Sequence, residues 1–445
     1  MPNHDHPDHP KGHDKSGEKG GEKGHEREKA HDKKGESAQE KTMAHAERSG
    51  HDKGEHERSD TERVERGDKG HRGANATLDP NQRSLQVSRF ENMLRERVVG
   101  QMSAIDAILD SFSKILAGIR NPERPILTLL FLGPTGVGKT ETVKALAETI
   151  FGKRNAFTRV NCQEFASEFT VSKLFGSPPG YVGNDVEPML SQDNLDKHHK
   201  EAQADGRGVF AEGEGKIAKL FPQVKSHYMS IVLFDEVEKA HPKVWNALLG
   251  LMEDGHLTLG NNKVVDFTRS IIIITTNVGA EEMSETLRHR SIGFDVQAGG
   301  EEINNNIRSK AIEAAKEVFP YEFLNRFDDI ICFRVLSTDD LKKILSLMLQ
   351  DVYKRLLGAQ VPIILHYSNS YLDKLLAEGT DPQFGARPMR RACERLLVAP
   401  LSRLIASNQV KAGDIVSVRM RNGNPIFIRD GSDTKKAAAE AKVLR

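Results

Sequence analysis

Cysteine is scarce in this 445-residue chain: Cys162, Cys332 and Cys393 lie far apart and form no C-x-x-C pair. That excludes a disulfide framework and a paired-cysteine zinc module, and it suits a reducing compartment. Long hydrophobic runs are missing too. No apolar stretch approaches the ~20 residues needed to span a bilayer. The first thirty residues are dominated by His, Lys, Glu, Asp and Gly, so they hold no signal-peptide hydrophobic region. Nor is there an excess of charge of one sign: 64 Lys and Arg balance 64 Asp and Glu, for a formal net charge of zero. No global basic field therefore advertises nucleic acid. These absences lead us to expect a soluble cytoplasmic protein with neither a membrane nor a nucleic-acid partner.

Composition changes sharply near residue 75. The segment before it holds ten of the 17 histidines, balanced acids and bases, and almost no large apolar residue beyond Met43 and Val64. Such a segment cannot bury enough surface to offset its ordering entropy, so residues 1–78 are expected to form a disordered tail. Its recurring HDK and HER triplets read as low complexity; a metal-binding tract and a partner-contact arm are the functional alternatives to a solvated polyampholyte. Beyond it, a helical pattern covers Ser103 to Ile119. β-rich runs at 126–132, 156–161, 230–235, 270–276 and 329–335 then alternate with helical stretches. That rhythm predicts an α/β fold, a mostly parallel sheet sandwiched by helices. After Leu336 the pattern shifts to helices at 338–357, 369–378 and 388–408, then a β pair around Asn422-Gly423. We expect a large domain over 79–336, a smaller C-terminal α/β domain over 337–430, and a flexible tail over 431–445.

The chemistry centres on Gly133-Pro134-Thr135-Gly136-Val137-Gly138-Lys139-Thr140, directly after the apolar run 126–132. This is G-x-x-x-x-G-K-[ST] between a strand and a helix, where the motif must sit to work. Its glycines let backbone N–H groups converge on phosphate oxygens, and the following helix, expected over 141–150, aims its positive N-terminus at the same point. Lys139 can reach the β- and γ-phosphates and the Thr140 hydroxyl can ligate Mg²⁺, so ATP and Mg²⁺ are the expected cofactors. Ile231-Val232-Leu233-Phe234-Asp235-Glu236 supplies the second half: Asp235 to hold Mg²⁺ and its waters, Glu236 as the base that polarises the attacking water. Asn277, ending the run 271–276, either orients that water or caps a turn.

Val98-Val99-Gly100-Gln101, GPTGVGKT, PPGYVG at 178–183, LFDEVEKAHPKVWNALLGLMEDG at 233–255, FLNRFDD at 323–329 and FGARPMRR at 384–391 follow one another in this order. Over about residues 90–430 the chain resembles the Clp-type AAA+ unfoldases, above all the second ATPase module of ClpA, ClpB and ClpC. The resemblance implies an AAA+ P-loop fold with a C-terminal lid domain. It also implies that Val98 and Val99 line the adenine pocket, that Asn277 is sensor 1, and that Arg387 is sensor 2. Arg326 takes the place of the arginine finger that reaches into a neighbouring subunit's ATP. A planar, always-charged guanidinium suits the spread charge of phosphoryl transfer, and a finger acting in trans requires a ring, in this family a homo-hexamer.

The resemblance further assigns Gly180-Tyr181-Val182-Gly183 to a pore loop. A flat ring beside a valine can grip any peptide by packing without reading its sequence. The stretch from Gly255 to Asp266 falls where a second pore loop belongs. Ile292-Gly293-Phe294 matches the tripeptide with which some relatives dock on a ClpP-like peptidase; a small hydrophobic turn folded onto the large domain is the alternative. The stretch from Asn184 to Phe221 is longer than the family's usual connection, and no first ATPase ring or coiled-coil middle domain is recognisable. The expectation is an ATP-driven unfoldase that threads unfolded or tagged proteins through a hexameric pore. A peptidase-independent disaggregase or remodeller and a nucleotide-switched scaffold are the alternatives. A nucleic-acid motor would need basic pore loops, which Tyr181 and its neutral neighbours do not supply.

Overall fold

The structure is a computed structural model that describes residues 79–181, 185–210, 228–280, 282–283, 300–358, 361–381 and 385–432. The tail over 1–78, Val182, Gly183, Ile292, Gly293, Phe294 and nearly all of 431–445 lie outside the described residues.

Among the described residues the first part contains α1 (Leu85–Arg95), α2 (Met102–Ala117), β1 (Leu127–Leu132), α3 (Lys139–Phe151), β2 (Thr158–Asn161), α4 (Glu168–Phe175), α5 (Gln192–Ala204), β3 (Ser230–Asp235), α6 (Pro242–Asp254), β4 (His256–Thr258), β5 (Val264–Asp266), β6 (Ser270–Thr275), α7 (Gly300–Val318), a single helical turn at Tyr321–Leu324, and β7 (Asp329–Cys332). Five of the strands form one sheet in the order β2-β3-β6-β1-β7, and every neighbouring pair is parallel. Parallel strands are covered on both faces and therefore read as continuous apolar runs. All six residues of β1, of β3 and of β6 are buried.

The two-residue period of a strand divides these runs between two cores. Leu129, Phe131, Ile231, Leu233, Ile271 and Ile273 pack with Phe90, Ile105, Leu109 and Leu146 from α1, α2 and α3. Leu130, Leu132, Val232, Phe234, Ile272 and Ile274 pack with Leu248 and Leu251 of α6 and with Ala311 and Ala315 of α7. Each such Leu or Ile, fully buried, contributes about 1.5–3 kcal/mol relative to exposure.

Among the described residues, four helices and a second sheet follow: α8 (Thr338–Leu357), β8 (Ile364–Tyr367), α9 (Asn369–Gly379), α10 (Arg387–Cys393), α11 (Ala399–Ala406), β9 (Asp414–Arg421) and β10 (Asn424–Ser432). The strand order is β10-β9-β8. β9 and β10 turn back at Asn422 and Gly423, both at positive φ as a two-residue hairpin turn requires. A third core joins Leu341, Leu345 and Leu349 of α8 to Tyr371 and Leu375 of α9, Met389 of α10 and Val416 and Val418 of β9.

Some boundaries differ from the sequence reading, for local reasons. α3 starts at Lys139, not 141, so the last two motif residues stand in its first turn. β7 stops at Cys332 because the backbone at Arg334 turns aside to pair with the Gln101 side chain. The helix expected over 388–408 is interrupted by a π-type turn at Glu394–Val398. Pro400 has no N–H for the Leu396 carbonyl, which accepts from the Tyr371 hydroxyl at 3.3 Å instead. The charged segment Asp193 to Lys200 lies within α5, capped by Ser191, with Leu195, His199 and Ala202 buried at helical spacing. The stretch 255–266 forms the antiparallel hairpin β4–β5. Its Gly260 N–H donates to the Phe175 carbonyl at 2.8 Å, at the end of α4.

Candidate nucleotide-binding site

Gly133 to Thr140 joins the C-terminal end of β1 to α3. Gly133, Gly136 and Gly138 have φ of 137°, 77° and 110°, a region closed to most side chains. At Gly133 space as well as φ demands glycine: a Cβ there would lie 2.8 Å from the Phe333 carbonyl oxygen. The Lys139 side chain is buried and its Nζ donates to the Gly133 carbonyl, to the Pro134 carbonyl at 2.9 Å and to Asn277 Oδ1 at 3.0 Å. Burial pushes its pKa down to about 8, against the opposing pull of Glu238, Asp235 and Glu236.

The two acids stand where β3 ends. Asp235 Oδ1 accepts from the Thr275 hydroxyl at 2.6 Å, and Oδ2 accepts from Arg159 Nη2 at 2.6 Å. Glu236 lies in the left-handed region at φ 59°. Its N–H donates to Thr275 Oγ1 at 3.1 Å, while Oε2 accepts from Gln163 Nε2 at 2.9 Å and Oε1 from Asn277 Nδ2 at 3.4 Å. Asn277 thus bridges Lys139 and Glu236. It also donates to Glu238 Oε1 through Nδ2 at 3.4 Å and its own N–H at 3.3 Å, and Glu238 Oε2 is buried without a hydrogen-bond partner.

Lys139, Asp235, Glu236 and Asn277 are therefore brought together. Arg387 stands at the start of α10, and the adjoining Ala386 N–H donates to the P-loop carbonyl of Gly136 at 3.3 Å. Val98 is buried in the α1–α2 core and Val99 is half-buried beside it. Arg326 is not at this site. Its guanidinium pairs with Glu253 at 2.8 Å and with Glu322 at 3.5 Å, and its carbonyl accepts from the Thr128 hydroxyl at 3.4 Å. Thr128 is the second residue of β1, the strand that Gly133 follows, five residues or about 16 Å away along extended chain. Tyr181 is 70% exposed on a turn whose N–H donates to the Pro178 carbonyl at 3.2 Å.

Sequence reasoning missed Thr275, Arg159, Gln163 and Glu238. Thr275, Gln163 and Glu238 shared one signal, position at or just beyond the C-terminal end of β6, β2 or β3, where open parallel sheets gather their ligands, whereas Arg159 lies within β2 and gave no such signal.

Two hard oxygen donors, the Thr140 hydroxyl and the Asp235 carboxylate, with no cage of three or more His, Cys, Asp or Glu side chains among the described residues, fit Mg²⁺ carried in with phosphates and water. The sheet order, the P-loop and the acid pair beside a polar strand end define a P-loop ATPase of the AAA+ class. Family models agree: residues 124–212 and 200–330 match the AAA domain (Cdc48 subfamily), and residues 336–418 match the C-terminal, D2-small domain of ClpB protein. The chain belongs to the Clp-type AAA+ ATPases and corresponds to their second ATPase module.

Among its relatives are the chloroplastic chaperone protein ClpC of Pisum sativum, 36% identical over 360 residues, and the ATP-binding subunit ClpC of the Clp protease of Staphylococcus aureus, 38% identical over 335. These alignments cover 80% and 75% of the chain but 35% and 37% of the relatives, so the chain spans about a third of their length. A solved S. cerevisiae Hsp104:casein complex aligns over 79% of this chain and 53% of its own, at TM-score 0.61 and 29% identity. No helix among the described residues is long and apolar enough to cross a membrane.

Proposed function

We propose that this protein is an ATP-driven protein-remodelling motor working as a homo-hexamer. The observation that carries the reading is the single network joining Lys139, Asn277, Glu236 and, through Thr275, Asp235. In it a phosphate-directed cation, a water-directed base and a metal-directed acid are held in mutual register. Gly133 to Thr140 cradle the triphosphate, with Val98 and Val99 on the adenine side. Thr140 and Asp235 hold Mg²⁺, which supplies charge neutralisation at the phosphates. Glu236 takes the proton of the attacking water, and Asn277 keeps that carboxylate aimed.

Arg326, sited away from its own P-loop, acts on the site of the next subunit, while Arg387 brings residues 337–430 to the nucleotide as a lid over the ATPase domain 79–336. A guanidinium in such a place is worth roughly 10³–10⁵ in rate in other phosphoryl-transfer systems. Tyr181, with Gly180, Val182 and Gly183, grips unstructured polypeptide in the central channel. Its exposure supports this role, since a largely solvated ring has packing surface to offer a passing chain. We place the protein in the cytoplasm, with unfolded or tagged proteins as substrates and a ClpP-like peptidase engaged through Ile292, Gly293 and Phe294.

A peptidase-independent disaggregase is the second reading, favoured by the match of residues 336–418 to the small domain of ClpB and by the likeness to Hsp104. The deciding experiment uses Glu236→Gln, which should bind ATP and assemble but hydrolyse very slowly, trapping clients. A trapped complex containing a peptidase supports the first reading, and clients without one support the second. Normal turnover by the variant removes Glu236 as the base.

A further inference from the structure

Gln101 occupies the N-cap position of α2, yet its side chain makes no cap there. Only 3% of the residue is exposed, and its amide is used elsewhere. The Arg334 backbone N–H donates to Oε1 at 3.2 Å. A backbone N–H can only donate, which fixes the amide's orientation. Nε2 then donates to two carbonyls at 3.0 Å, those of Val137 in the P-loop and of Arg334. One buried amide thus satisfies three backbone groups from segments 36 and 233 residues away.

Both ends of this bridge lead on to further elements of the fold. Arg334 lies on the connection from β7 to α8, and its guanidinium pairs with Asp340 at 2.8 Å. Asp340 is the N3 residue of a capping box with Ser337, so the pair is anchored in the first turn of α8. Space is tight along this path: a Cβ at Gly100 would fall 2.9 Å from Arg334 Nη2. On the other side, the adjacent P-loop carbonyl of Gly136 is held by the Ala386 N–H at the entry to α10. Two consecutive P-loop carbonyls are therefore tied toward the 337–430 segment, that of Gly136 directly by Ala386 and that of Val137 through Gln101, Arg334 and Asp340.

We propose that Gln101 is a positioning residue that couples the P-loop peptide at Val137 to the first turn of α8, so that nucleotide occupancy and the setting of α8 change together. The inference rests on the nucleotide-site reading above. A buried amide with all its groups satisfied specifies one relative placement of its partners, since any slip leaves a polar group orphaned.

The test uses the full chain, with ADP as ligand, mant-ADP as the affinity probe and hydrogen exchange of residues 334–345 as the readout. Gln101→Met keeps the volume and removes all three hydrogen bonds; Gln101→Glu keeps the acceptor for Arg334 and removes both donors. ADP should protect 334–345 in the wild type and in neither variant, with mant-ADP bound about tenfold more weakly. A lower melting temperature with ADP-dependent protection retained would mean a purely structural glue and overturn the proposal. Should neither variant fold, an ADP titration of the wild type decides. Protection of 133–140 and of 334–345 must share one midpoint, and separate midpoints overturn the coupling. A wild type that binds no ADP refutes the nucleotide site itself, a failure distinct from these.

Discussion

Replacing Thr275 by Val keeps the approximate volume of a fully buried side chain and deletes one hydroxyl. That hydroxyl donates to Asp235 Oδ1 and accepts the N–H of Glu236, so the substitution strikes both acids at once. An N–H left without a partner costs about 1–3 kcal/mol, and loss of a charge-assisted bond about 1.5–3 kcal/mol. Asp235 keeps its contact with Arg159, and the two losses share one group, so about 2–4 kcal/mol is expected in total. At ~2.1 cal/mol/K per residue, a folded segment of roughly 300 residues has an unfolding entropy near 0.6 kcal/mol/K, which places the fall in Tm at about 3–6 °C. Glu236, held in the left-handed region partly by this bond, would lose its aim. Turnover at saturating ATP should drop about 10- to 100-fold, the equivalent of about 1.4–2.8 kcal/mol in the barrier. Thr275→Ser retains the hydroxyl and should recover most of the rate. The assays are phosphate release and thermal unfolding on all three proteins. Wild-type turnover in Thr275→Val, or equal loss in Thr275→Ser, would refute the reasoning.

Lys139 titrates near pH 8 because burial outweighs its neighbouring carboxylates, and a bound triphosphate favours the ammonium form. Nucleotide binding should therefore take up a proton above about pH 8 and weaken as pH rises, with almost no uptake near pH 7; calorimetry in buffers of different ionisation enthalpy measures this. Tyr181→Ala should keep ATPase activity and lose unfolding of a tagged, folded reporter, and unchanged unfolding would sink the pore-grip reading. Deleting Ile292 to Phe294 should abolish only peptidase-coupled degradation; degradation that survives removes the docking role.

Much of this was legible in the residues. The apolar runs 126–132, 230–235 and 270–276 announced strands buried on both faces, because a parallel sheet covered by helices leaves no polar face to alternate. The glycine spacing of 133–140 announced a phosphate cradle, because positive φ and close backbone approach are local demands. The interruption at Glu394–Val398 was less visible: an apolar helical period continues across it, and only the missing N–H of Pro400 hinted at the break. The helical nature of the charged stretch at α5 was obscured by its polar face, although Leu195, His199 and Ala202 kept the period.

By itself, then, the sequence determined the element types, the P-loop and the identity of the acid pair, each written within a few consecutive residues by backbone sterics and side-chain period. Tertiary structure alone decided which side chains complete the site. Pairing of Phe234 with Ile274 sets Thr275 beside Asp235, and pairing of β2 with β3 sets Arg159 against the same acid. The turn at Arg334 delivers a backbone to Gln101 across 233 residues. Strand register and chain crossing depend on how whole faces pack, and no local spacing in a single chain encodes them.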